Sequence, residues 1–191
     1  MEGNGGSYLI SKIIIISAIL LSIGFTAQST KDNVEMGPFD VSFEMSNPNG
    51  YDVEVEGPVA FEKFTGYPFR IESLATHKLE GMEIELPDAS IQIKVHDYAE
   101  AIDISSNGLR QQLDHEEAWY WKEYGVDYKE FTISGTPGIL ATVNLDRPVY
   151  LASYSPDGRG MKGHVIVFIQ SFYPWEVTEP FLRNLKVSRE D

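Results

Sequence analysis

Between residues 126 and 172 four runs of strand-forming residues follow one another with only short connectors between them, and this succession constrains the fold more than any other feature. The runs are residues 126–133, 139–145, 149–155 and 163–172. The connectors are Ser134-Gly135-Thr136-Pro137-Gly138, Asp146-Arg147-Pro148 and Asp157-Gly158-Arg159-Gly160. Parallel neighbours need a crossover of a dozen or more residues, so connectors this short force antiparallel pairing and predict a meander. In the last run Val165, Val167 and Ile169 alternate with Ile166 and Phe168, with Phe172 following. Apolar residues on both faces of one strand imply a sheet covered on both sides.

Residues 105–124 give the strongest helical signal, with Ser105, Ser106 and Asn107 as candidate caps and Gly125 as the stop. At ~100° per residue, Leu109, Leu113, Tyr120 and Tyr124 share one apolar stripe, with Trp119 and Trp121 on either side of it. Both tryptophans fit one interface only if the helix is covered on two sides, so one of them is expected at a boundary or in solvent. A second, short helix is expected after the last strand, capped by Thr178 and running through Phe181, Leu182 and Leu185. Val187 then stands ready to add to a sheet edge.

Upstream, Phe39, Val41, Phe43 and Met45 alternate with Asp40, Ser42 and Glu44, and Tyr51, Val53 and Val55 alternate with Asp52, Glu54 and Glu56. The turn sequence Asn47-Pro48-Asn49-Gly50 between them predicts a hairpin with an acidic outer face. Residues 82–86 and 91–95 alternate again around Pro87-Asp88, whereas 59–79 show no decisive period. The expected class is therefore α+β: an antiparallel sheet with a meander, covered on both faces, with two main helices.

That pattern, with the closing run Phe181-Leu182-Arg183-Asn184-Leu185-Lys186-Val187, resembles the Mog1/PsbP-like α/β/α sandwich over roughly residues 82–187. The resemblance implies a binding or accessory module, since members of that group are mostly non-catalytic. Its motifs are of low specificity and carry no functional residue across, and the first hairpin departs from the group's pattern.

The N-terminus has a polar stretch through Lys12, an apolar run over residues 13–25, then Ala27 and Ser29 at signal-peptidase spacing. About 13 apolar residues suit a signal-peptide core better than a spanning helix, which needs about 20. Residues 1–29 therefore read as a signal peptide or, uncleaved, as an N-terminal membrane anchor. Residues 30–191 read as one globular domain, placed outside the cytoplasm either freely or through that anchor. The 191-residue chain has no cysteine, which excludes a lipidated cysteine, disulfides and thiolate metal sites alike.

The net charge is −14, concentrated early: residues 30–103 hold 16 acids against 5 bases, residues 104–191 hold 12 against 9. Such a field repels nucleic acid and anionic lipid headgroups and favours cations or basic proteins. No phosphate-binding glycine loop, nucleophile elbow, His-Glu-x-x-His or EF-hand loop occurs. No cofactor or metal is expected.

Three constellations carry residue types suited to chemistry or contact. Asp114, His115, Glu116 and Glu117, with His96, Asp97 and Glu100, contain metal-ligand types, but their helical phases diverge and a solvated charged face is the simpler reading. Glu116 or Glu117 beside Trp119 and Tyr120 has the apolar flank that raises a carboxyl toward general-acid range, as a hydrolase requires. The aromatic set Trp119, Tyr120, Trp121 and Tyr124, with Tyr173-Pro174-Trp175 after the last strand, would where exposed form a contact surface for a protein or glycan partner, since flat rings stack on sugars and side chains alike; packing between the two helices and the sheet is the simpler reading. The leading expectation is thus a non-enzymatic extracytoplasmic binding or interaction module using Trp119, Trp121, Tyr124 and Trp175. A structural envelope component, or a carboxylate-based envelope hydrolase or metal-dependent enzyme near residues 105–124, are the alternatives.

Overall fold

The meander forms one side of a seven-stranded antiparallel sheet. The computed structural model describes residues 30–45, 51–60, 78–86, 89–158 and 160–189. Its strands are β1 (Thr30–Met36), β2 (Phe39–Met45), β3 (Asp52–Ala60), β4 (Lys78–Leu86), β5 (Ala89–Asp103), β6 (Val126–Ile133), β7 (Thr136–Val143), β8 (Val149–Tyr154), β9 (Lys162–Ser171) and β10 (Lys186–Arg189). Helix α1 (Ser106–Glu116) is followed by a 3₁₀ segment, Ala118–Tyr124, and helix α2 (Trp175–Asn184) precedes β10. The large sheet has the order β3-β4-β5-β9-β8-β7-β6, and a small sheet has the order β1-β2-β10.

The large sheet is buried on both faces, as the double-sided β9 requires. Val165, Val167 and Ile169 join Ile91, Ile93 and Val95 of β5 against one layer, made by the small sheet and α2 through Phe39, Val41, Phe43, Phe181 and Leu185. Ile166 and Phe168 join Ile139, Ala141 and Leu151 against the other layer, made by Leu109 and Leu113 of α1 and by Ala118. Each of these large side chains, taken fully out of water, contributes about 1.5–3 kcal/mol. The class is α+β, an antiparallel sheet covered on both faces, as the sequence predicts.

Local chemistry sets the joints. The β6–β7 turn is only Ser134-Gly135, both at positive φ (52° and 76°), with Ile133 paired to Thr136. Two consecutive left-handed residues make the tight hairpin turn whose twist suits antiparallel strands, so β7 begins at Thr136 rather than at the expected Ile139. Ser105 caps α1 by accepting the Gly108 amide at 3.2 Å. Gly138 is a packing glycine, because a Cβ there would lie 2.6 Å from the Ser153 carbonyl oxygen.

Three expectations need correction. The hairpin between Phe39–Met45 and the strand from residue 52 does not form: β2 pairs with β1 and β10, whereas β3 pairs with β4 at the edge of the other sheet. The alternation of β2 is nonetheless as expected, with Phe39, Val41, Phe43 and Met45 all buried. Period-2 patterning says which face is wet and is silent about which strand is the partner. Tyr51, just before β3, still reaches the small sheet, its ring 6.0 Å from that of Phe43 and its hydroxyl donating to Asp32 of β1.

Second, the helix expected over residues 105–124 ends at Glu116 and continues as 3₁₀. Third, Thr178 lies inside α2, which begins after Pro174. Its hydroxyl is buried, 2.7 Å from Ser171 Oγ and donating to the Tyr173 carbonyl, so it ties the helix to the end of β9. Val187 does extend a sheet edge, pairing with Val41.

Candidate functional site

The switch from α to 3₁₀ geometry at Glu117 creates the most distinctive surface of the molecule. The segment Ala-Trp-Tyr-Trp-Lys-Glu-Tyr is rich in aromatics, which lose rotamer freedom in an α-helix. In a 3₁₀ helix three residues make a turn, so i and i+3 eclipse. Ala118, Trp121 and Tyr124 thus share one row, Trp119 and Lys122 a second, Tyr120 and Glu123 a third. The first row faces the sheet: Ala118 is fully buried and Trp121 is half-buried against the α1-side core. Trp119 and Tyr120 are thrown outward, 53% and 70% exposed, with ring centroids 4.0 Å apart. Tyr124, at the open end of the first row, is 53% exposed with its ring 6.0 Å from Trp121.

The placement of Tyr120 and Tyr124 overturns the expectation of a continuous apolar stripe through Leu109, Leu113, Tyr120 and Tyr124. Only the first two are buried, because the change of period at Glu117 rotates everything after it. The expectation that one tryptophan of the pair stands in solvent holds, and that tryptophan is Trp119. Trp175 lies elsewhere. It packs against the opposite face of the large sheet, edge-on to Phe131 at 5.6 Å and beside Tyr150 at 5.1 Å, with Lys129 over its ring. The fold therefore brings Trp119, Trp121 and Tyr124 together and leaves Trp175 apart. Tyr120, a member of the aromatic set, supplies its most exposed ring: an α period would turn it onto the buried stripe, and the 3₁₀ period turns it outward.

The segment is anchored at both ends. Glu117, just before it, is 6% exposed and accepts a hydrogen bond from Lys94 Nζ of β5 at 2.8 Å. Burial raises the Glu117 carboxyl above the usual carboxylate range, and Lys94 opposes that rise. Glu116, its neighbour, turns instead to exposed His115 at 3.2 Å. Lys122 reaches back to Asp114 at 3.3 Å, and Asp114 also accepts from the Tyr128 hydroxyl at 2.9 Å. That hydroxyl is pushed up to about 12, by burial first and then by its bond to the Asp114 carboxylate. At the far end the Gly125 carbonyl accepts from the Asn144 amide at 3.1 Å.

The carboxylates weighed for catalysis do not converge. Glu117 is covered and engaged by Lys94, while Glu116 is paired to His115, so the two point to different partners. His96 is buried, its ring 4.8 Å from Phe168 and its Nδ1 3.4 Å from the Tyr98 hydroxyl. Burial, then the charge of Glu116, holds that hydroxyl well above the usual phenol range. Among the described residues no three His, Asp or Glu side chains are grouped to hold a metal. An open groove of about 450 Å³ lies near the β6–β7 turn, lined by Ser106, Glu130, Phe131, Pro137 and Arg183, remote from these carboxylates.

Comparison with known protein families, curated proteins and solved structures gives no match. Among the described residues no helix is long and apolar enough to cross a membrane, and the apolar run at 13–25 lies outside them.

Proposed function

We propose that the chain is a non-catalytic binding or interaction module working outside the cytoplasm, with Trp119, Tyr120, Trp121 and Tyr124 as its contact surface. The observation that carries this reading is the run of three large rings, each more than half exposed, on a segment tied down at both ends. Together they offer on the order of 400 Å² of aromatic surface, within the size range of the functional patches of monomeric proteins. Holding the rings in place before a partner arrives lowers the ordering cost of association. The extracytoplasmic placement rests on residues 13–25 and the signal-peptidase spacing of Ala27 and Ser29. The Mog1/PsbP-like reading of the sandwich is part of the same proposal and accords with a module that binds without turnover.

The test is a binding screen of the full chain against defined oligosaccharides and peptides, neutral, cationic and anionic, repeated with Trp119→Ala and Tyr120→Ala. The reading requires at least one probe whose affinity falls tenfold or more in the variants while the thermal midpoint shifts by only a few degrees. If no probe responds to either substitution, or if turnover of a glycan probe survives both, the reading is wrong.

A further inference from the structure

We infer that the partner of the aromatic surface is a protein segment rich in arginine, which docks with a guanidinium over Tyr120 and its charge beside Glu123. The inference rests on the proposed binding role of this surface and specifies its ligand.

Charge comes first. Between Asp114 and Asp127 stand five acids and one base, Lys122. The base is engaged by Asp114, and of the acids only Glu117 is matched by a lysine from outside residues 114–127, Lys94. Glu123 and Asp127 are exposed, and Glu123 has no ion pair among the described residues. The only contact shown for Asp127 is the neutral Asn144 amide, so its charge stays uncompensated. The rings thus stand in a negative field, which excludes nucleic acid and anionic lipid. That field also disfavours a second copy of this chain, whose net charge is −14.

Geometry comes second. Tyr120 and Glu123, both exposed, lie three residues apart on one row of the 3₁₀ segment, which puts a ring and a carboxylate on the same side of it. The same molecule fills that combination twice with its own arginines. Arg183 lies 4.9 Å over the Phe131 ring and pairs with Glu179 at 2.7 Å, and Arg189 lies 5.3 Å over Phe39 and pairs with Asp97. Tyr120 and Glu123 repeat the ring and the carboxylate without a cation of their own. A planar guanidinium stacks on a ring and donates to a carboxylate in the same pose, which a compact ammonium does less well. A neutral sugar would use the rings and leave Glu123 and Asp127 unmatched.

The experiment titrates the full chain with nona-arginine and with nona-lysine at physiological salt, followed by tryptophan fluorescence and calorimetry. The arginine peptide should bind at least threefold more tightly than the lysine peptide. Tyr120→Ala and Glu123→Gln should each weaken it about fivefold to tenfold, and Tyr120→Phe, which keeps the ring, should restore most of the affinity. Glu35→Gln and Glu44→Gln, at exposed acids of the small sheet on the other side of the molecule, should leave it unchanged.

Equal affinity for the two peptides, or equal losses from Glu35→Gln and Glu123→Gln, would mean bulk charge attraction and overturn the inference. So would the absence of arginine-peptide binding. If a neutral oligosaccharide binds instead and is lost with Trp119→Ala, the partner class is wrong while the binding surface stands. If no probe is sensitive to Trp119 or Tyr120, the surface itself falls.

Discussion

Trp119→Ala set against Leu113→Ala tests whether the aromatic segment is a surface or a disguised core. Trp119 keeps 53% of its accessibility, so on the order of 100 Å² of side chain is covered, worth at most about 2.5 kcal/mol at ~25 cal/mol per Å². That figure is an upper bound, because the unfolded chain already hides part of the ring. The ring beside it is Tyr120, 4.0 Å away and itself 70% exposed, and truncation at a site already open to water leaves no sealed cavity. The expected loss is about 1 kcal/mol, or roughly 3 °C in thermal midpoint for a chain of this size. Leu113 is fully buried between α1 and the sheet, and its truncation leaves a cavity, with an expected loss of about 2–5 kcal/mol. Urea unfolding followed by circular dichroism gives both values on one scale. A Trp119→Ala loss equal to that of Leu113→Ala would show the ring to be structural and remove the basis for the proposed surface.

Three further outcomes are expected. Gly138→Ala should destabilise the protein by about 2 kcal/mol or more in the same urea assay, since its Cβ meets backbone at 2.6 Å on one side and Ile133 Cδ1 at 2.9 Å on the other; a neutral result would mean the β7–β8 spacing is looser than described. The Tyr154 hydroxyl is buried without a well-formed hydrogen bond among the described residues, its polar neighbour being the Val187 backbone, so Tyr154→Phe should be neutral or raise the thermal midpoint slightly, and a loss above about 1 kcal/mol would show that the Val187 interaction counts. Glu117 has a raised folded-state pKa, so its contribution favours folding when protonated and is lost as pH rises from its ordinary value of 4.5 through the folded value. Wild type should therefore lose stability relative to Glu117→Gln over that window, and a relative gain on the same rise would show that the Lys94 pairing outweighs the burial.

The parts of the fold that were legible are those set by local pattern. Alternation in β2 and in the meander placed Phe39, Val41, Phe43, Val165, Val167 and Ile169 on buried faces, and short connectors forced the order β6-β7-β8-β9. The strand partner of β2 was not legible, because Val41 meets Val34 of β1 and Val187 near the other end of the chain, and closing a long loop costs only slightly more than closing a short one. The turn signal at residues 47–50, which lie outside the described residues, predicts a bend. It does not report that the strands on either side are hydrogen-bonded to each other.

The site was half legible for a related reason. Two tryptophans flanking a tyrosine cannot all reach one interface at 100° per residue, and that conflict pointed to the right segment while naming the wrong tyrosine positions. At 120° per residue the conflict resolves: Ala118 and Trp121 go in, Trp119 and Tyr120 go out, and Tyr124 ends half-covered beside Trp121. The change falls at Glu117, whose burial beside partly exposed Lys94 is a poor way to gain stability, since desolvating the carboxylate offsets much of its attraction to the lysine. A leucine facing a methionine would hold α1 to β5 at least as well. The pair stands where the α-helix ends and the 3₁₀ period begins, directly before the segment that carries the exposed rings of Trp119 and Tyr120.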